Sequence, residues 1–175
     1  MKLHRTLLIA ALLPASAAFA ADIPSCKAYQ MDVDAEVELF QSEAISVKAS
    51  ADAAAASAVR VGQLFEVRLA SQKETRFTVL PRREIDPAQY GGMLRVHIAE
   101  GGRYRVSVDA PSWVDAVFDG KSLETLDFRS NRECAGPTKI VTFNVPAGAD
   151  LLLQVIDVDR PSVRLTVTPV PLPVW

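Results

Sequence analysis

The chain has 175 residues, with 19 basic and 21 acidic side chains that give a formal net charge of −2. It contains no dense basic run, which argues against nucleic-acid binding, because such binding depends on clustered Lys and Arg side chains that contact phosphates. The length suits one domain built around one hydrophobic core.

The first 20 residues have the pattern of a secretory signal peptide. Lys2 and Arg5 supply a positive start, residues 7–13 form a short apolar run, and Ala-Phe-Ala at 18–20 fits the cleavage signature. The apolar run is shorter than the roughly 20 residues that a membrane-spanning helix needs. We therefore expect residues 1–20 to be removed and the remaining chain to be periplasmic or secreted, without a transmembrane segment.

Residues 21–58 are predicted to form an N-terminal segment with a pair of short strands. The last part of this segment, residues 50–58, is rich in alanine and is interpreted as a connection to the main domain, with a short helix as the alternative. An Asp-Val-Asp triplet at 32–34 recurs at 157–159. Carboxylates at i and i+2 of a strand point the same way and can bind calcium, whereas aspartates near a turn are ordinary turn residues. Both interpretations of the triplets stay open.

Residues 59–175 are predicted to be a β-sandwich domain. Apolar and polar residues alternate with period two, as is typical of antiparallel strands with one buried face. Gly, Pro and Asp residues mark the turns between the alternating stretches, and residues 81–92 form a long polar loop. The pattern predicts an all-β, antiparallel, jelly-roll-like sandwich. The alternating stretches are 64–69, 76–79, 93–98, 103–108 and 162–167.

The two cysteines, Cys26 and Cys134, lie far apart in the sequence. In an exported protein, two cysteines most simply form one disulfide. A metal-binding or reactive thiol pair is the alternative, but a tetrahedral Cys/His site needs four ligands. We predict a Cys26–Cys134 disulfide and no metal.

The sequence offers no set of catalytic residues. His97 is the single histidine after residue 20, and its alternation with apolar neighbours places it on a polar strand face. No nucleophile motif and no glycine-rich phosphate loop accompany it. No catalytic residue and no cofactor are therefore predicted.

Asp115 is an unusual residue because it lies in the middle of a predicted strand, Trp-Val-Asp-Ala-Val-Phe at 113–118. Lys139 is similarly placed at the head of an apolar row in the stretch 139–145. The two charges would be costly to bury alone and tolerable as a pair, so one hypothesis is an Asp115–Lys139 ion pair. The other is a ligand face, with Trp113 as an apolar platform and Asp115 as a hydrogen-bond acceptor. Trp113, Asp115 and Lys139 are the candidate binding residues.

Several stretches carry a resemblance to known proteins: Gly-Gly-Arg-Tyr-Arg-Val-Ser-Val-Asp at 101–109, Trp-Val-Asp-Ala-Val-Phe-Asp-Gly at 113–120 and Cys-Ala-Gly-Pro-Thr-Lys-Ile-Val-Thr-Phe-Asn-Val at 134–145. Loosely, they are similar to the bacterial pre-peptidase C-terminal type of β-sandwich. More closely, residues 59–168 resemble short exported proteobacterial β-sandwich proteins of unestablished role. Some of those carry a homogentisate 1,2-dioxygenase label, which implies an iron site with two histidines and a glutamate.

The preferred prediction is an exported, non-catalytic β-sandwich that binds a protein, glycan or envelope component. One alternative is a metal-dependent oxidoreductase of the homogentisate 1,2-dioxygenase kind, although only one histidine follows residue 20. A second is a small outer-membrane barrel, but its strands should have about 9–11 residues. The last stretch, 169–175, also contains three prolines, which donate no ladder hydrogen bonds.

Overall fold

The computed structural model describes residues 24–81 and 83–171. The predicted signal peptide lies outside these residues, as does the C-terminal end of the chain. Twelve strands and one α-helix, α1 (Asp34–Gln41), follow a 3₁₀ helix at Pro24–Tyr29. The strands are β1 (Ile45–Lys48), β2 (Ser57–Val59), β3 (Leu64–Arg68), β4 (Ala70–Ser71), β5 (Tyr90–Ile98), β6 (Gly102–Val108), β7 (Trp113–Phe118), β8 (Lys121–Ser122), β9 (Thr125–Ser130), β10 (Lys139–Val145), β11 (Ala149–Val158) and β12 (Ser162–Pro169).

The strands form two packed sheets, so the predicted β-sandwich is confirmed. Sheet A has the order β1-β3-β12-β6-β10-β9, and sheet B has the order β2-β5-β11-β7-β8, with β4 also paired to β5. Alternate residues of the central strands point inward because successive side chains of a strand lie on opposite faces. The core between the sheets is rich in Val and Leu and includes Val96, Val106, Phe143, Leu153 and Leu165.

The predicted N-terminal strand pair is wrong. β1 pairs with β3 of sheet A, β2 pairs with β5 of sheet B, and both pairings are parallel. Each strand thus extends a different sheet. Between them, the alanine-rich stretch forms a short 3₁₀ helix, Ala53–Ala55, whose start is capped by the Asp52 carboxylate accepting from the amide of Ala54.

Residues 34–41 are helical because their buried positions follow helical spacing. Glu36 and Phe40 are the buried residues of α1, and their i, i+4 separation places them on one face. The triplet at 32–34 therefore does not lie on a strand. Instead, Asp32 accepts a hydrogen bond from the amide of Asp34 at the start of α1.

The outer faces of both sheets are partly covered, contrary to the expectation that they face water. On sheet A, Arg105 and Thr168 are buried, and both side chains bond to Glu36 of α1. On sheet B, Gln154 is buried and holds the main chain of Thr78 and Val79 with hydrogen bonds of 2.7–3.2 Å. We call the segment that crosses sheet B, residues 72–81 and 83–89, the covering loop.

The predicted disulfide is confirmed: Cys26 and Cys134 are joined, and they are separated by 108 residues. A small second hydrophobic cluster surrounds the bond and includes Tyr29 and Ile140. The Tyr29 hydroxyl donates to the carbonyl of Pro137 over 2.6 Å. The disulfide therefore fastens the 3₁₀ helix at the N-terminus to the loop before β10.

No helix among residues 24–81 and 83–171 is both long enough and apolar enough to cross a bilayer.

Candidate functional site

A groove of about 200 Å³ opens at the side of the sandwich, where β7 of sheet B faces β9 and β10 of sheet A. Two core residues, Val114 and Val141, form its floor, so the hydrophobic core reaches the surface here. We call it the lateral groove. Its lining comprises Trp113, Val114, Thr125, Phe128, Lys139 and Val141.

Trp113 is held in a fixed orientation at one side of the lateral groove. Its indole Nε1 donates a hydrogen bond to Oδ2 of Asp115 over 2.8 Å. The guanidinium carbon of Arg83 lies 5.5 Å from the centre of the indole ring, within cation–π range. Arg83 also forms an ion pair with Asp157. The indole is thus fixed by a carboxylate on its own strand and by a cation from the covering loop.

Asp115 is a positioning residue for this indole. It is only 8% exposed and lies on the outer face of sheet B, directly opposite Gln154 of β11. Burial raises the pKa of its carboxyl group, and the hydrogen bond from Trp113 offsets part of that rise. The hypothesis that Asp115 directs a ligand as a free acceptor therefore weakens, because one of its oxygens already accepts from the indole.

The expected ion pair between Asp115 and Lys139 is not formed. The ion pairs within 4.0 Å among the described residues do not include one between these two side chains. The reason lies in the architecture, since Asp115 points to the outer face of β7 whereas Lys139 heads the inward-facing row of β10. Lys139 of sheet A therefore faces the inner side of sheet B, whereas the Asp115 side chain lies on the outer side of sheet B.

Lys139 lines the lateral groove, and its surroundings disfavour a positive charge. Burial lowers the pKa of its ammonium group, and the nearby Arg83 guanidinium lowers it further. Its Nζ lies 5.3 Å from the centre of the Phe128 ring, which is its one charge-stabilising contact among the described residues. Of the three candidate binding residues, Trp113 and Lys139 therefore line one groove, whereas Asp115 is not among the residues that line it.

Phe128 is a residue of the groove that was not predicted from the sequence. It lies on β9, an edge strand of sheet A, and its side chain is 61% exposed. Leu126 on the same strand is also exposed. The alternation of these two apolar residues with Asp127 and Arg129 is a strand signal that would have placed them on one face.

Asp157 anchors the covering loop beside the groove. Its Oδ1 accepts from Gln72 Nε2 over 2.6 Å and from the amide of Asp86 over 3.0 Å, while its other oxygen pairs with Arg83. It sits at an irregularity of β11 with a positive φ of 57°. The triplet at 157–159 thus supplies a loop anchor. Among the described residues, no cluster of three or more His, Cys, Asp or Glu side chains could hold a metal ion.

His97 lies on an exposed face, as expected. Its Nδ1 is 2.8 Å from Oδ1 of the exposed Asp150 on β11. An iron site of the dioxygenase type needs two histidines and a carboxylate around one point. The residues around His97 do not fit that requirement, since it has one carboxylate partner and the chain has no other histidine beyond His4.

No protein-family model matches the chain, and no curated protein matches it either. The resemblance to exported proteobacterial β-sandwiches and to the pre-peptidase C-terminal type stays a prediction.

Proposed function

We propose that this chain is an exported, non-catalytic binding protein whose lateral groove receives the apolar end of an envelope component. The observation that carries the proposal is the opening of the hydrophobic core between Trp113 and Phe128. Exposed apolar grooves with convergent polar groups are typical ligand sites. The groove is lined by two aromatic rings, aliphatic side chains, one threonine and one lysine.

Export to the periplasm or the outside of the cell is supported by two independent features. The N-terminal 20 residues have the signal-peptide pattern. The Cys26–Cys134 disulfide is typical of oxidising, non-cytoplasmic compartments. Cell fractionation and mass spectrometry of the purified protein test this part, with a new N-terminus at Ala21 as the expected result.

The size of the groove indicates what part of a ligand it holds. Its volume of about 200 Å³ is smaller than the roughly 300–1,000 Å³ of pockets that enclose whole drug-sized molecules. One ring or one short chain fits this space. The rest of a larger ligand would lie over the exposed edge strand β9, where Leu126 and Phe128 offer apolar surface.

Binding of a neutral aromatic probe, benzyl alcohol, tests the groove itself. Trp113 serves as the fluorescent reporter in a Trp175→Phe background, since these are the two tryptophans of the chain. We expect a saturable change that Phe128→Ala weakens. Ile45→Ala is the matched control, because it removes an exposed apolar side chain from the opposite edge of sheet A. An equal effect of both variants, or no saturation, would reject the groove as the binding site.

A further inference from the structure

We propose that the ligand group received by the lateral groove is an aromatic ring that bears a single carboxylate, and that Lys139 selects its charge. This inference rests on the proposed function and names the chemistry of the ligand at the same groove.

The charges around the groove favour a ligand with one negative charge. Lys139 is half-buried, lies above the apolar floor and has no carboxylate within 4.0 Å among the described residues. Arg83, the other cation of the site, is already neutralised by Asp157. The groove therefore has one uncompensated positive charge, which one negative charge on a ligand would balance.

Among the described residues, neither Asp115 nor Asp127 forms an ion pair with Lys139. Asp115 faces the outer side of sheet B and accepts from the Trp113 indole. Asp127 on β9 is paired with Arg129. A half-buried ammonium without a counter-ion gains from a carboxylate, because a charge-assisted hydrogen bond offsets part of the cost of burying the charge.

The walls of the groove favour an aromatic ring as the apolar part. Phe128 and Trp113 stand on either side of the floor formed by Val114 and Val141. Aromatic rings pair favourably in stacked or edge-to-face arrangements, beyond the gain from burying their area. The volume of about 200 Å³ accommodates one such ring.

The test compares 3-phenylpropionate with its neutral isostere 3-phenylpropanamide, in the Trp175→Phe protein with Trp113 as reporter. We expect the acid to bind about 10- to 100-fold more tightly, the range expected of one hydrogen bond to a charged group. Lys139→Gln should abolish the preference for the acid, so that acid and amide bind this variant with similar affinity. Lys121→Gln is the matched control, because it removes an equal charge from an exposed position on β8.

A second measurement does not depend on any variant. Binding of 3-phenylpropionate should raise the pKa of Lys139, which can be measured by NMR of the side-chain nitrogen. Equal affinity for acid and amide in the wild-type groove would overturn the inference and leave the proposed function standing. Binding of neither 3-phenylpropionate nor benzyl alcohol would reject both.

Discussion

Asp115 and Trp113 form a hydrogen-bonded pair on one face of β7: the indole Nε1 donates to the carboxylate Oδ2 over 2.8 Å. Residues at i and i+2 of a strand share a face, so the pair is built into the strand itself. The carboxylate thereby fixes the ring that forms one wall of the lateral groove.

The charge on Asp115 is expected to reduce stability near neutral pH. Burial raises the pKa of this carboxyl group above its value in the unfolded chain, so the folded state holds the proton to higher pH. The tighter proton binding by the folded state therefore stabilises the fold at acidic pH, and this stabilisation is lost as pH rises through the folded-state pKa. Asp115→Asn keeps an acceptor for the indole and should be at least as stable as wild type at pH 7 in urea denaturation. A variant clearly less stable than wild type would contradict this reasoning.

Asp115→Ala should lower the free energy of unfolding by about 1–3 kcal/mol, because it leaves the part-buried indole N–H without its acceptor. The Trp113 fluorescence spectrum should change in this variant but not in Asp115→Asn.

Removal of the Asp157 side chain should detach the covering loop from sheet B. Asp157→Gly deletes the carboxylate that holds Gln72, Arg83 and the amide of Asp86, without strain at the positive φ of 57°. We expect a loss of about 2–4 kcal/mol in unfolding free energy and faster hydrogen exchange at the Asp86 amide. Asp157→Asn, which tolerates the same φ and keeps an acceptor, should lose less.

Glu36 should be the residue that fixes α1 to sheet A. It is 1% exposed, pairs with Arg105 over 3.2 Å and accepts from the Thr168 hydroxyl over 2.6 Å. Glu36→Ala leaves a buried guanidinium without its carboxylate, and we expect a loss of about 3–5 kcal/mol in chemical denaturation. Glu38→Ala removes an exposed carboxylate from the same helix and should change stability by about 0.5 kcal/mol or less. Similar losses in the two variants would show that helix formation, not the buried pair, is responsible.

Tyr29 should make the fold sensitive to alkaline pH. Burial raises the pKa of its phenol to about 12. The unfolded chain releases this proton near pH 10, so stability falls as pH rises through the window between these values, by about 2–3 kcal/mol in total. Tyr29→Phe loses the hydrogen bond to Pro137 but also this pH dependence. Denaturation midpoints measured at several pH values above 9 give the slope of stability against pH for wild type and for Tyr29→Phe. An equal slope in both proteins would show that a group other than Tyr29 causes the alkaline loss of stability.

The disulfide should contribute strongly to stability. The cysteines are 108 residues apart, and cross-linking a loop of this length restricts the unfolded chain by about 4–5 kcal/mol in the chain-entropy model. The double variant Cys26→Ala/Cys134→Ala should lose a large part of that amount in urea denaturation. Thiol counting on denatured, unreduced wild-type protein should find no free thiol.

Local patterns predicted the sandwich well, because alternation determines which side of a strand is buried. Val163, Leu165 and Val167 of β12 are core residues as the period of two requires. The exposure of His97 followed from the same alternation.

Contacts between distant segments explain what could not be predicted. Arg105 occupies a polar position of β6, yet it is buried because Glu36, 69 residues away, lies over it on α1. Nothing in the alternation around Arg105 reveals that a helix covers the sheet. The Trp113–Asp115 bond, by contrast, is local, and the i, i+2 spacing would have predicted it in place of the Asp115–Lys139 pair.

The position of β12 has a consequence for the order in which the molecule can be completed. Among the described strands it is the last to be synthesised, yet it lies between β3 and β6 in sheet A. Until residues 162–169 are available, β3 with its neighbour β1 has no strand that links it to β6, β10 and β9. A nascent chain that lacks β12 therefore holds sheet A as two separate pieces. The native sandwich therefore closes only after nearly the whole described chain has been made, and its completion depends on contacts between segments that are distant in the sequence.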